Sequence, residues 1–282
     1  MILIPEKLDN IFVIDNMNSE LFGEMHSINE NIVVDLSSTS FTYPFGMVSL
    51  LVGLENLNKL KPVIIDFNKT PNALLSYIER MNFFNFLPDE ILNGYDLNYL
   101  RNRKRNNLSE VLLEITPITQ TEDVYNLTDC IYKIFSNKVS SRVTNNIMNI
   151  VTELANNILD HSESTGYVAI QFYKKSNTIR MAIIDDGIGI INKFKTEVTH
   201  IHEPLRILKK AFKLGNSTRE NIPGGKGLKN MWANSYDPIF SDTTIFLKTG
   251  ENIYKIKEDN IVLEKKTSKY KGTFYDFTIK IA

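Results

Sequence analysis

Glu153 and Asn157 stand four residues apart in the run RVTNNIMNIVTELANNILDHS, residues 142–162. Val143, Ile147, Ile150, Val151, Leu154 and Ile158 recur there at helical spacing, so the run reads as one amphipathic helix whose apolar stripe faces a core. Residues four apart on a helix share a side, one turn above the other. A polar stripe of Asn149, Glu153, Asn157 and then Asp160 or His161 therefore runs beside the apolar one. A carboxylate and a carboxamide stacked this way suit a hydrated divalent cation and an activated water. The amide oxygen ligates a hard ion such as Mg²⁺, and the carboxylate takes a proton. On a lone helix such a stripe is a solvated face, so the weight falls on two glycine motifs downstream.

Both motifs sit where a regular element ends or begins. Alternating Val168, Ile170, Phe172 and then Ile179, Met181, Ile183 read as two strands turned at Ser176-Asn177. The second strand runs into Asp185-Asp186-Gly187-Ile188-Gly189-Ile190. Glycines two apart after a strand let the backbone approach a flat ligand closely. A buried Asp there accepts a hydrogen bond from an exocyclic amine such as adenine's. Asp185 and Asp186 differ in strand parity, so only one of them can face such a pocket. The connection 191–223 holds a helix over 203–213 and the segment GNSTRENIP, and its length and polarity read as a mobile lid. It leads into Gly224-Gly225-Lys226-Gly227-Leu228 and a helix at KNMWAN. Backbone N–H groups at a glycine-rich helix start make an anion site, and Lys226 adds a cation toward a phosphate. The GxxxxGK[ST] spacing of a P-loop is absent.

Around these motifs, Thr121 and Asp123 are placed to cap a helix running to about residue 138. Strands are expected at 244–248, 253–257 and 261–264, with turns at Gly250 and Asp259-Asn260, and a last strand at GTFYDFTIKI. The N-terminal half begins with short apolar runs, MILIP and residues 11–14, both read as strands. Then come a strand at NIVVDL, a turn at residues 37–40, a helix from Pro44, a strand at KPVIIDF, and a helix at PNALLSYIERMNFF with Pro71 in its first turn. Strand–helix–strand–helix implies a small sheet with parallel pairing. RNRKR at 101–105 reads as a solvated basic surface, and LLEITPI at 112–118 as a strand closing this half. The expected fold class is thus α/β (α+β) in two domains, 1–118 and 119–282.

The 282 residues carry a net charge of −1, with 43% hydrophobic and 23% charged residues, which gives no global attraction to nucleic acid or a membrane surface. No apolar run reaches the roughly eighteen residues that span a bilayer, and no signal-peptide pattern opens the chain. The single cysteine, Cys130, has no partner for an internal disulfide. That fits a reducing, cytoplasmic setting, with Cys130 as core filling. His26, His161, His200 and His202 show no metal-ligand spacing.

Helix with Glu-x-x-x-Asn, strand ending in Asp-x-Gly-x-Gly, a lid, Gly-x-Gly-Leu, and a final Gly-Thr-Phe strand: this order over residues 120–282 resembles the GHKL ATP-binding fold of gyrase B, heat-shock chaperones, histidine kinases and mismatch-repair ATPases. The resemblance implies a two-layer α/β sandwich with a mixed sheet, and ATP and Mg²⁺ as cofactors. It implies that Asn157 ligates the metal and Glu153 activates water. Asp185 then binds adenine with Thr273 in the same water network, and Gly187 and Gly189 shape the base pocket. Gly225, Lys226, Gly227 and Leu228 form the phosphate site. Within the superfamily, ELANNILDH is most similar to the anti-sigma-factor serine kinases, which also have His four residues beyond the Asn, here His161.

Residues 28–88 resemble the STAS fold of anti-sigma-factor antagonists, in which a VDL-type strand leads into a helix bearing a phosphorylated serine. Here Tyr43-Pro44-Phe45-Gly46 stands at that position, and Ser37, Ser38 and Ser40 sit in the preceding turn, so the expected scaffold is not itself phosphorylated. His202-Glu203-Pro204-Leu205 is similar to a histidine-kinase phosphoacceptor box, but it lies inside the connection rather than on an upstream dimerisation helix. Three functions are compatible with these residues. One is a Mg-dependent ATPase switching a protein partner through the STAS-like domain. The others are a serine/threonine kinase acting on a separate STAS-type protein, and a nucleotide-dependent scaffold, against which Glu153 speaks. A homodimer stays open as an assembly.

Overall fold

The computed structural model describes residues 1–25, 30–92, 95–98, 111–162, 164–197, 201–214 and 227–282. The chain divides into two units, Met1–Leu108 and Ser109–Ala282. The basic run at 101–105 lies outside the described residues.

In the first unit, β1 (Ile2–Leu3), β3 (Ile32–Asp35) and β5 (Val63–Ile65) form a three-stranded parallel sheet with β3 in the middle. A second parallel pair joins β2 (Lys7–Leu8) to β4 (Phe41–Thr42). The helices are α1 (Ile11–Met25), α2 (Pro44–Asn58), α3 (Asn72–Arg80) and α4 (Asp89–Leu92). The expected parallel pairing is therefore present. Residues 11–14 are not a strand. Asn10 Oδ1 accepts from the backbone N–H groups of Phe12 and Val13 and caps α1, whose buried Ile11, Ile14, Met17 and Leu21 continue at helical spacing. Four apolar residues alone do not separate strand from helix. In the Tyr-Pro-Phe-Gly run, Gly46 sits where a side chain would not fit. A Cβ there would stand 2.6 Å from the backbone oxygen of Leu8, so the start of α2 presses directly on β2.

The second unit is one five-stranded sheet, in the order β6 (Leu112–Ile118), β7 (Gly166–Tyr173), β8 (Thr178–Asp185), β10 (Ile261–Ile281), β9 (Phe240–Ile256). Its helices are α5 (Thr121–Phe135), α6 (Ser141–His161), α7 (Ile190–Glu197), α8 (Pro204–Leu214) and α9 (Gly227–Ser235). Every pairing in the sheet is antiparallel, so the mixed sheet is corrected: each strand returns beside its neighbour, and no parallel crossover enters this sheet. Strand β6 exists where expected but does not close the first half. Thr116 pairs with Val168 and Ile118 with Gly166, so β6 belongs to the second unit, and the division falls after Leu108 rather than at 118/119.

The C-terminal strands also merge. Gly250 is no turn. It sits inside β9 at φ 58°, and Gly272 inside β10 at φ 94°, while the ladder continues through register shifts on either side. Glycine's tolerance of positive φ lets both long strands bulge without ending. The reversal is at residues 257–260, where Lys257 N–H donates to Asn260 O at 2.7 Å.

One core joins the layers. Val143, Ile147, Ile150, Val151, Leu154 and Ile158 of α6 pack with the buried stripe of α5 and with Val168, Ile170, Met181, Ile183, Phe277 and Ile245 of the sheet. Helix α5 is capped by Gln120, not by Thr121. Asp123 closes a capping box by accepting from the N–H groups of Thr119 and Gln120. Cys130 is exposed on α5, beside its inward stripe of Val124, Leu127, Ile131 and Ile134, which corrects its reading as core filling. Ile150 is wholly buried. Ile150→Ala is expected to cost the second unit about 2–5 kcal/mol, whereas Tyr132→Ala, on the exposed side of α5, changes stability by less than about 0.5 kcal/mol. Urea unfolding of the two variants against the parent checks both.

Candidate functional site

Helix α6 is fastened at both ends. Ser140 Oγ accepts from Val143 N–H at its start, and Ser162 N–H donates to Ile158 O at its end. The buried Ser162 then ties the helix to the loop after β8, because its carbonyl oxygen accepts from Ile188 N–H at 3.2 Å. The same oxygen would stand 2.1 Å from a Cβ at Gly187. Only glycine fits at 187, and the helix end and the Asp-Gly-Ile-Gly loop are held in direct backbone contact.

Asp185 ends β8 and points inward at 5% exposure, while Asp186 is only half-buried, as their opposite parity requires. Asp185 Oδ1 accepts from Gly187 N–H at 2.9 Å, and Thr273, its partner across the β8–β10 ladder, hydrogen-bonds to the same carboxylate. Thr273 Oγ1 also accepts from Ile190 N–H at 3.2 Å, at the start of α7. Burial pushes the Asp185 carboxyl up to about 7, against the pull of the Gly187 and Thr273 hydrogen bonds toward the charged form. Gly189 adopts φ 79°, and a Cβ there would meet Gly272 O at 3.0 Å and Thr249 Oγ1 at 3.1 Å. Gly272 is tighter still, with Asp185 O 1.9 Å from the place of its Cβ. The loop, β8 and β10 thus meet backbone to backbone around one buried carboxylate, with the Thr249 hydroxyl of β9 beside them. Near it, Tyr275 Oη is buried with no hydrogen-bond partner among the described residues.

The polar stripe of α6 faces the start of α9. A Cβ at Gly227 would lie 2.7 Å from Glu153 Oε2 and 3.9 Å from Asn157 Oδ1. Glu153 Oε1 accepts from Asn230 Nδ2 at 3.2 Å. Asn157 Nδ2 is buried without a partner among the described residues. Leu228 is buried below this opening. Asn157 stands five residues before Ser162, so about 7.5 Å of helix rise separates it from the Asp185 loop, and Glu153 lies about 6 Å further on.

The structure therefore groups Glu153, Asn157 and Gly227, and separately Asp185, Gly187, Gly189 and Thr273, along one helix. Gly224, Gly225 and Lys226 lie outside the described residues, as does the side chain of His161. Within the connection 191–223, the helix expected at 203–213 is present as α8, preceded by α7. Helix α8 buries Ile207, Leu208, Ala211 and Phe212 and sets Phe212 edge-on against Trp232 of α9 at 5.7 Å. Helix α8 is thus packed into the core rather than free, and the remainder at 198–200 and 215–223 lies outside the described residues. Sequence reading passes over Asn230, Ser162 and the hydroxyl of Tyr275. The first looks like any exposed helical Asn, and the other two take part only through long-range contacts. No family model matches this chain, and no curated protein matches it.

The raised carboxyl of Asp185 makes a pH prediction. Asp276, also buried, is pushed up to about 7 by the same cause, against the pull of Arg180. Each carboxyl ionises in the unfolded chain near 3.8 and in the folded chain only near 7. Between those values the unfolded state binds fewer protons, so stability falls as pH rises from about 4 to about 7 and levels off above. Each group contributes a fall on the order of 4 kcal/mol at most. Asp185→Asn is expected to flatten its share of the slope, read by urea unfolding at several pH values across that window.

Proposed function

We propose that the second unit binds ATP with Mg²⁺ and hydrolyses it, as a member of the GHKL group in fold and mechanism. The observation that carries the reading is the arrangement along α6. Its C-terminal end is locked to a glycine loop around a buried carboxylate, and one to two turns earlier Asn157 and Glu153 open onto the glycine start of another helix. A flat amine-bearing base at the first place and phosphates at the second match those chemistries in order. The residues fit the absent groups. Asp185 keeps acceptor capacity beyond its contact with Gly187, and Tyr275 Oη nearby has no partner among the described residues. At Gly227 no side chain stands between α9 and the Glu153 and Asn157 oxygens.

In this reading Asp185 accepts from the exocyclic amine of adenine, with Thr273 holding the other side of the carboxylate's environment. Gly187 and Gly189 bring backbone against the base. Gly225, Lys226, Gly227 and Leu228 serve the phosphates. Asn157 Oδ1 would hold Mg²⁺, a hard cation suited to amide and phosphate oxygens, which when bound neutralises phosphate charge. Glu153 orients a water and accepts its proton as the water attacks the terminal phosphoryl group, which leaves as phosphate with ADP. The first unit, with its parallel sheet and a turn at Ser37–Ser40 between β3 and β4, serves as a STAS-like element through which a protein partner is met, and the protein works in the cytoplasm. No helix among the described residues is long and apolar enough to cross a membrane.

Glu153 and Asn157 separate chemistry from binding. Asn157→Ala is expected to lose Mg-dependent ATP affinity and turnover together. Glu153→Ala should bind Mg-ATP like the parent while phosphate release falls by roughly 10²–10⁴-fold. Asp185→Asn should weaken ATP binding roughly ten- to a hundredfold. Calorimetry and a phosphate-release assay on the three variants read these outcomes. A Glu153→Ala protein that turns over like the parent would refute the catalytic role. Following γ-labelled phosphate distinguishes release to water from transfer to a protein hydroxyl, which would draw on the same groups.

A further inference from the structure

Helices α6 and α9 meet along a polar seam. Gly227 lies against Glu153 Oε2, Asn230 donates to Glu153 Oε1, and Asn149 Nδ2 reaches Asn234 Oδ1 at 3.4 Å. Just past α9, Asp237 accepts from Arg142 at 2.9–3.0 Å. The order of partners runs backward along one helix as it runs forward along the other, so the pair is antiparallel and its register is set by three polar pairs. Beneath the seam, Leu228 and Met231 are buried. Asn234 Nδ2 donates to Asn230 O at 2.7 Å, tying one seam residue to the next.

We propose that Asn230 is the residue that aims Glu153, an inference that rests on the hydrolase reading. The two oxygens of Glu153 have different surroundings. Oε1 is held by the Asn230 amide, and Oε2 occupies the space left by the missing side chain of Gly227, toward the first turn of α9. A glutamate on a solvated helix face samples several rotamers, and one directional donor on one oxygen selects the rotamer that presents the other. An amide suits the task better than a charged group. A lysine would hold the carboxylate but weaken it as a proton acceptor, and an aspartate would repel it. An amide N–H donates without giving up its proton. Asn230 touches no reacting atom in this role and is a positioning residue.

Asn230 is exposed, so replacing it leaves the core intact, and alanine is the better helix former at such a place. Single-turnover and steady-state hydrolysis of Mg-ATP are measured for the parent, Asn230→Ala and Asn230→Asp. The chemical step is expected to slow by about tenfold in Asn230→Ala and further in Asn230→Asp, with KM and the calorimetric affinity for a non-hydrolysable analogue within about twofold of the parent. The thermal midpoint of Asn230→Ala should stay level or rise. In a Glu153→Ala background, adding Asn230→Ala should cost nothing further. Without nucleotide, the side-chain amide resonance of Asn230 should move when Glu153 is replaced by Ala. A parent with no turnover overturns the hydrolase reading and this role together. Turnover that needs Glu153 but is equal in the parent and both Asn230 variants overturns the positioning role alone, as does an amide resonance that ignores Glu153→Ala.

Discussion

Ser162 closes the helix that carries Glu153 and Asn157, and its carbonyl oxygen accepts from Ile188 in the space a side chain at 187 would need. This backbone contact turns a helix and a loop, which could otherwise shift against each other, into one ruler. Asp185 lies at one end of it, and the Asn157 and Glu153 side chains are spaced along it by the helix rise. The same logic repeats on the far side of the loop, where Gly272 presses on Asp185 O and Gly189 on Gly272 O. Three glycines, two of them at positive φ, therefore bring α6, β8 and β10 closer than any side chain allows. Distances fixed by backbone against backbone do not relax through rotamers, which is what a site needing two groups at a set separation requires.

The carboxylate at the centre of that contact is costly. Burial alone favours its neutral form, and the Gly187 and Thr273 hydrogen bonds only partly offset the loss of water. Tyr275 Oη and Asn157 Nδ2 are further buried polar atoms without partners among the described residues. A fold selected for stability alone would replace such groups with apolar ones of similar size. Asn157 lies on α6 and Asp185 at the loop it holds, with Tyr275 near Asp185 on β10, whereas Ile147, Ile150, Val151 and Leu154 on the apolar stripe of α6 pack into the core. One side of the helix supplies stability, and the other carries the polar groups that cost it.

How far the sequence carries depends on whether a feature is local. The stripe of α6 and the β7–β8 pair follow from period and turn chemistry, and those are local; parity says only that one of Asp185 and Asp186 faces inward, and the fold shows that it is Asp185. Strand β6 is legible as a strand but not as a member of the second sheet, because LLEITPI carries no mark of which strand it will join. Residues 11–14 are too few to reveal their period, and the cap at Asn10 decides for a helix. Gly250 looks like a turn because turns and bulges use the same residue for the same positive φ. Residue type alone places Cys130 inward, although it lies beside the stripe of α5 rather than in it. Asn230 is invisible for a different reason. Its meaning is given wholly by Glu153, 77 residues earlier.

The antiparallel seam of α6 and α9 links these two kinds of feature. Its apolar floor, with Leu228 and Met231 beside the α6 stripe, makes the helices pack, but apolar contacts alone tolerate a slip of a turn. The polar contacts above do not, since each donor finds its acceptor in only one register: Asn230 with Glu153, Asn149 with Asn234, Arg142 with Asp237. Exposed hydrogen bonds and ion pairs of this kind add little stability each, roughly 0–1 kcal/mol. Their effect is on register, and register decides whether the glycine start of α9 stands opposite Glu153 and Asn157 or one turn away. Trp232 extends the same control outward, its indole N–H donating to Lys257 O at 2.7 Å while its ring meets Phe212 of α8. Through Trp232, α8 and the chain just past β9 thus both touch the helix that faces Glu153.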